Sequence, residues 1–483
     1  MVISKKSFMF VVIDIALAVL TAVFAFYSPE SLNLVFVFAT LVYIYLLVSW
    51  LNRSEGKLNY FTIILLLSYL YYFGQYLLNF LSIDITVQYT INNTFTTTQI
   101  NSTALYVLIN IIVLHGAILF FYKPMKHEHR LVTSSERAKA FEITIWIVLT
   151  VSFICEIIVL LFQIDINLKY GYTVALRTNY TGAGSFSYII NFFSTLYMPA
   201  LFAALVVTKN KRSNIIVWIT YAVFLICYFM SGSRFEAVVS IAGVILLYHY
   251  YYKRLSLKTV AIVLVVGIAV LYLSSLLSNI RVVYSYESTR STQELLAESI
   301  EKTNEDNFIT DSISEAGMQI LSVTTVYNNC PENEPFTYGA YYLGGALRVI
   351  PNLFGGDNPL ITADINTIFT KYFTKTYGMG SSFIIEAYYN FGWFGILMMI
   401  PFGWLAAYVV KKMQRVRTDK NIDLILTYFI FYIASTSFFW IRSDARNLLR
   451  EIVFYYFGFR VATWIVQGII HYRTGGFMNR KQV

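Results

Sequence analysis

The stretch SFMFVVIDIALAVLTAVFAFY, residues 7–27, is an almost unbroken apolar run as long as a helix that crosses a bilayer. It follows Lys5 and Lys6 and lacks a small-residue cleavage site, so it reads as a retained first membrane helix and not a removable leader. Outward from it, runs of similar length recur at 31–51, 58–81, 104–122, 141–164, 187–207, 215–231, 236–252, 259–279, 391–410, 421–440 and 452–470. Together they predict an all-α polytopic membrane protein with about twelve transmembrane helices. A chain of 483 residues that is 57% hydrophobic and 13% charged does not fit a soluble multidomain protein.

Charge sets the expected topology. With a cytoplasmic N-terminus, the inner segments are 1–6, 52–57, 123–140, 208–214, 253–258, 411–420 and 471–483, and they hold 23 of the 36 Lys and Arg residues. Basic residues thus mark every inner segment, which predicts that both termini are cytoplasmic. The same distribution accounts for the net charge of +9, and nucleic acid is excluded as a partner. Cys155 and Cys227 lie in apolar runs and Cys330 in a loop, which leaves no disulfide framework or thiolate metal site.

The chain divides into 1–279 with helices one to nine, a large outer loop at 280–390, and 391–483 with helices ten to twelve and a cytoplasmic tail. Shorter outer segments are expected at 82–103 and 165–186. Within the large loop, 287–315 is acidic, from Glu287 to Glu315, with the Leu and Ile spacing of an amphipathic, solvated surface helix. From Tyr338 to Asn390 the composition turns to aromatics and glycines, including Tyr341, Tyr342, Gly344, Gly345 and Gly380. Such a stretch suits either a surface that stacks on sugar rings near the headgroups or the packing of the loop onto the helices.

The residues that could carry chemistry are mainly arginines expected on the outer side. Arg442, Arg446 and Arg450 are spaced i, i+4, i+8, which on a helix sets three guanidinium groups along one face. Asp444 would not share that face and Glu451 neutralises one charge at most, so an ion-pair explanation is short of carboxylates. A pyrophosphate offers the charge and the forked acceptors that several arginines grip bidentately. Arg234, in the short Ser231-Gly232-Ser233-Arg234-Phe235-Glu236 link, needs a partner at the membrane surface, either Glu236 or a ligand. Arg177 and Arg348 are further candidates for the anion site, whereas Arg281 and Arg290 answer the acidic segment beside them.

Histidines are expected away from this pocket. His115, His127, His129, His249 and His471 all fall in inner loops or deep in spans, which disfavours a histidine base or a histidine-ligated zinc outside. A base would then be a carboxylate, Glu386 or Asp357, with Glu386 just outside helix ten, where it could equally serve the helix dipole. Glu156 and Arg460 are isolated charges within spans that either pair with other helices or mark a functional path.

Ser231-Gly232-Ser233-Arg234 after an apolar span, Gly378-Met379-Gly380-Ser381-Ser382-Phe383 leading through Glu386-Ala387-Tyr388-Tyr389-Asn390 into Phe391-Gly392-Trp393-Phe394-Gly395, and the terminal arginine series together resemble the bacterial Wzy family of oligosaccharide repeat-unit polymerases. The likeness covers mainly 165–460. It implies a fold similar to the C class of membrane glycosyltransferases, in the bacterial cytoplasmic membrane, with the site on the periplasmic face. The implied reaction moves a glycan from undecaprenyl pyrophosphate onto a new lipid-linked repeat unit. Arg234, Arg442, Arg446 and Glu386 would then be catalytic, with Arg450, Arg348, Arg177, Tyr341 and Tyr388 binding substrate, and no cofactor or metal required. A flippase and a chain-length regulator are the implied protein partners. The arginine-glycine repeats that some members carry in two outer loops are not found here as a matched pair.

Two alternatives remain at this level. A ligase of the same fold class would be expected to carry a histidine in the large outer loop, and this chain has none there. A flippase or other transporter also suits twelve spans, but internal repeats in matching halves are not visible.

Overall fold

The computed structural model describes residues 5–27, 29–54, 59–85, 87, 89–123, 135–170, 180–182, 184–208, 210–231, 234–256, 259, 272, 308–350, 365–372, 380–418 and 423–479. Regular structure among them is helical throughout. Helices α1 (Lys5–Phe26), α2 (Leu32–Leu51), α3 (Tyr60–Phe80), α4 (Thr97–Phe121), α5 (Ser135–Tyr170), α6 (Ser187–Ser194), α7 (Tyr197–Val207), α8 (Lys211–Ser231) and α9 (Arg234–Leu247) come first. Then come α10 (Phe308–Gly317), α11 (Gln319–Asn329), α12 (Ala340–Leu347) and α13 (Ile365–Tyr372). The chain closes with α14 (Phe383–Phe391), α15 (Met399–Thr418), α16 (Leu424–Phe439), α17 (Leu448–Glu451) and α18 (Phe459–Asn479). A 3₁₀ segment, Gly392–Met398, joins α14 to α15, and a π-helical segment, Ile452–Gly458, joins α17 to α18.

Among the described residues, nine helical stretches are long and apolar enough to cross a membrane, and Ala237–Tyr252 and Leu424–Phe439 are shorter apolar helices. These match every predicted run except 259–279, most of which lies outside the described residues. Boundaries follow local chemistry. Ser31, Asn59, Ser382 and Asp423 each accept a backbone N–H at a helix start, and Thr96 and Gln99 form a capping box ahead of α4. The predicted single run 187–207 breaks between α6 and α7 because Pro199 has no N–H and its ring would meet the Thr195 carbonyl of a continuous helix. Helix ten begins earlier than predicted, at Phe383, because Ser382 caps it there.

Polar groups fasten the apolar bundle. His115 on α4 lies between Asp14 of α1, at 2.9 Å from Nδ1, and Ser49 of α2, at 3.0 Å from Nε2, with all three buried. Arg460 of α18 pairs with Asp423 at the start of α16 and lies over the Tyr456 ring, so the charge that looked isolated in the sequence has a structural partner. The described end of the acidic segment is a helix that keeps Glu315 exposed and packs its other face on the bundle. α10 packs on α3 so closely that a Cβ at Gly317 would meet the Gln75 amide nitrogen at 2.5 Å, while the Gln75 side-chain amide donates to Ser314 O. The rest of that segment, 287–307, lies outside the described residues.

Asp14→Leu would leave His115 Nδ1 facing an apolar group in the bundle, with an expected loss of about 1–3 kcal/mol. The double variant Asp14→Leu/His115→Leu is expected to recover most of it. Thermal unfolding in detergent reads the difference, and equal melting of the single and double variants would disprove the coupling.

Candidate functional site

α16 ends at Phe439 and the chain turns through Trp440–Asn447 before the short α17. Arg442 and Arg446 therefore lie in a turn and Arg450 in the helix after it, so the predicted ladder on one helix face does not form. Backbone bonds explain why. The Arg442 and Ser443 N–H groups both donate to Phe439 O, at 2.9 and 2.6 Å, which closes the last turn of α16. The next amides are captured from outside the helix.

Their captor is Glu386, in the first turn of α14. Its Oε2 accepts the Ala445 N–H at 2.8 Å and its Oε1 accepts the Arg446 N–H at 3.2 Å, and the residue has no exposed surface. A buried carboxylate needs such donors, because leaving it unbonded costs several kcal/mol. Glu386, the carboxylate that the sequence offered as a general base, has both oxygens engaged by these amides and no accessible surface, an arrangement that ties α14 to the arginine turn.

Other elements press on the same turn. Phe383 N–H donates to Trp440 O at 2.8 Å, and Tyr72 O–H of α3 donates to Ile441 O at 3.2 Å. A Cβ at Gly345 would lie 2.6 Å from Arg446 O, and one at Gly380, where φ is +77°, would lie 2.5 Å from Arg442 O. These glycines serve close backbone approach.

Arg446 is built into the wall. Its side chain is 5% exposed, its Nε lies 2.5 Å from Asp444 Oδ2, and its guanidinium carbon sits 4.3 Å from the centre of the Tyr341 ring. The turn brings Asp444 to Arg446, which helical spacing would not, and Tyr341 O–H also reaches Asp444 Oδ2 at 3.2 Å. Tyr341 is thus buried against a cation. Tyr388 is buried as well, its O–H donating to Tyr327 O and Cys330 O at 3.3 and 3.2 Å. Both rings, which the sequence offered as substrate-binding residues, are thus packed against protein groups.

Arg442 and Arg450 are placed differently. The Arg442 side chain is 30% exposed and lies 3.6 Å from Glu315, itself 48% exposed. Arg450 Nε is buried with no hydrogen-bond partner among the described residues. Arg348 ends α12, which packs on α17, so it belongs to the same end of the bundle. Ser435 donates to Val239 O at 3.2 Å, which ties α16 to α9, the helix that Arg234 begins. The side chain of Arg234 lies outside the described residues, as do all of Arg177, Arg281, Arg290 and Asp357. Close to the arginine turn, burial and Glu386 hold the Tyr342 phenol well above its ordinary range, so it stays protonated.

Beside the turn lies a cavity of about 440 Å³. Glu156, Val159 and Gln163 line it from one face of α5, at i, i+3 and i+7, and Tyr432, Ser435, Thr436 and Phe439 line it from one face of α16. The α16 stripe was not read from the sequence, and on α5 only Glu156 was noticed, as an isolated charge. The polar positions recurring along one face of the α5 run were the missed signal.

The family model for O-antigen polysaccharide polymerase Wzy matches residues 8–473, nearly the whole chain. The chain belongs to the O-antigen polysaccharide polymerase Wzy family. No curated protein and no solved structure matches it. As a Wzy-family protein it is a multi-pass membrane enzyme that transfers glycan chains.

Glu386→Gln retains one acceptor for the two turn amides and turns an NH₂ toward the other, at an expected cost of about 1–3 kcal/mol. Melting temperature and chain elongation are expected to fall together. Unchanged melting with abolished elongation would instead make Glu386 a group that acts on substrate.

Proposed function

We propose that this protein lengthens a polysaccharide by moving the growing glycan from undecaprenyl pyrophosphate to the free end of a new lipid-linked repeat unit. The observation that carries this reading is the turn of arginines held between α16 and α17 by Glu386. As the bond from the sugar to the pyrophosphate breaks, negative charge grows on the leaving oxygen. Guanidinium groups already in place stabilise that charge without reorganising, and away from bulk water they do so more strongly.

In this mechanism the arginines divide the work. Arg446, held by Asp444 and Tyr341, keeps the turn in shape and adds its field. Arg442 and Arg450 grip the pyrophosphate, with Arg348 and Arg234 at its edges. The Arg442–Glu315 pair is partly exposed and long, so it contributes little and yields to a bidentate phosphate. Guanidinium charge takes the place of a divalent ion, so elongation is expected to persist in excess EDTA. Family membership favours polymerisation over the ligase and transporter alternatives. The distribution of basic residues supports a cytoplasmic-membrane enzyme with both termini inside and the turn on the periplasmic face, supplied by a flippase and tuned by a chain-length regulator.

Arg442→Ala and Arg450→Ala are each expected to slow elongation by about 10²- to 10³-fold, the usual loss for one oxyanion donor. Expression is expected to be unchanged, and Glu315→Gln is expected to elongate normally. Glycan ladders formed from lipid-linked repeat units in membrane vesicles provide the measurement. Full-length ladders from both arginine variants would overturn the pyrophosphate assignment.

A further inference from the structure

The cavity beside the arginine turn carries chemistry that pyrophosphate binding leaves unused. Its volume of about 440 Å³ falls within the ~300–1,000 Å³ of small-molecule sites. α5 supplies a carboxyl and an amide, Glu156 and Gln163, while Ser240 of α9, whose hydroxyl is engaged by Ala237 O and Tyr221, and the buried Tyr432 and Tyr455 complete the wall. No lysine or arginine is among the described residues that line it. Carboxylate and amide oxygens accept hydrogen bonds from neutral hydroxyls and repel phosphate. An acid on a membrane helix is costly beside lipid and fits a polar occupant.

Position narrows the occupant. Thr436, in the cavity wall, donates to Glu451 Oε2 at 3.3 Å, and Glu451 directly follows Arg450. Cavity and arginine turn are therefore neighbours across one short helix. Glu386, which might have served as the base, has both oxygens engaged.

We infer that this cavity holds the terminal sugar of the acceptor repeat unit and that Glu156 accepts the proton of its attacking hydroxyl. The inference rests on the polymerase function proposed above. The acceptor oxygen forms the new bond to the anomeric carbon of the donor as its proton passes to the Glu156 carboxylate. The old bond from that carbon to the pyrophosphate breaks, its electron pair leaves on the phosphate oxygen, and Glu156 returns the proton to water on product release. Gln163, one turn-pair along the same face of α5, orients the sugar.

The experiment uses the full chain in lipid nanodiscs with lipid-linked repeat units extracted from the host membrane. Glu156→Gln is expected to reduce kcat by about 10²- to 10⁴-fold, the usual share of a positioned base. Its elution and melting are expected to match wild type, and Glu156→Asp is expected to recover part of the rate. Gln163→Ala is expected to raise KM for the acceptor by about tenfold with little change in kcat. Ser240→Phe, which fills the cavity, is expected to block elongation while leaving the protein folded.

Wild-type elongation that survives both Glu156→Gln and Ser240→Phe would overturn this inference and leave the polymerase function standing. Absence of elongation by the folded wild-type protein would overturn both. Loss in Glu156→Gln accompanied by lowered melting, with Ser240→Phe active, would assign Glu156 to structure and reject the acceptor site.

Discussion

A carboxylate with no exposed surface, that of Glu386, is satisfied only while the backbone amides of Ala445 and Arg446 face it. That requirement ties the start of α14 to the turn after α16 and, through the turn, fixes the positions of the arginines. Phe383, Tyr72, Gly345 and Gly380 all approach the same turn from different parts of the chain. Burial makes the interaction selective as well as stabilising, because any arrangement that withdraws the amides leaves an unpaired charge in a dry interior.

Once the turn is fixed, three arginines close in sequence have unlike surroundings. Arg446 is enclosed by Asp444 and the Tyr341 ring, whereas Arg442 remains partly exposed beside a distant carboxylate. Arg450 keeps a buried N–H with no partner among the described residues. A guanidinium enclosed by an acid and an aromatic ring holds structure together, and one at the rim is suited to meet an incoming anion. The division of labour proposed for the site follows from these surroundings and not from residue type.

The polar groups within the bundle fall into two kinds. The Asp14–His115–Ser49 chain and the Arg460–Asp423 pair join helices to one another. Glu156, hydrogen-bonded to Ser194, and Gln163 line a cavity together with hydroxyls and aromatic rings. Groups of the first kind hold the membrane helices in register. Groups of the second kind provide a surface on which a neutral, hydroxyl-rich ligand can replace water.

Membrane class and the positions of the spans were legible in the sequence, because a bilayer demands long apolar helices and their run lengths are visible without any partner. The break at Pro199 and the start of α14 at Ser382 were legible in principle too, since both are local backbone chemistry, although the run pattern alone missed them. The arginines were recognisable as a group, but periodicity assigned them to a helix face and left Asp444 aside. Only the tertiary structure could decide that Glu386 would draw the chain into a turn, that Gly345 and Gly380 would press against it, and that Tyr341 would lie under Arg446. Run length and charge distribution are properties of contiguous residues and so belong to the sequence. The satisfaction of a buried carboxylate depends on amides some sixty positions away, and such a partner is chosen only when the chain folds.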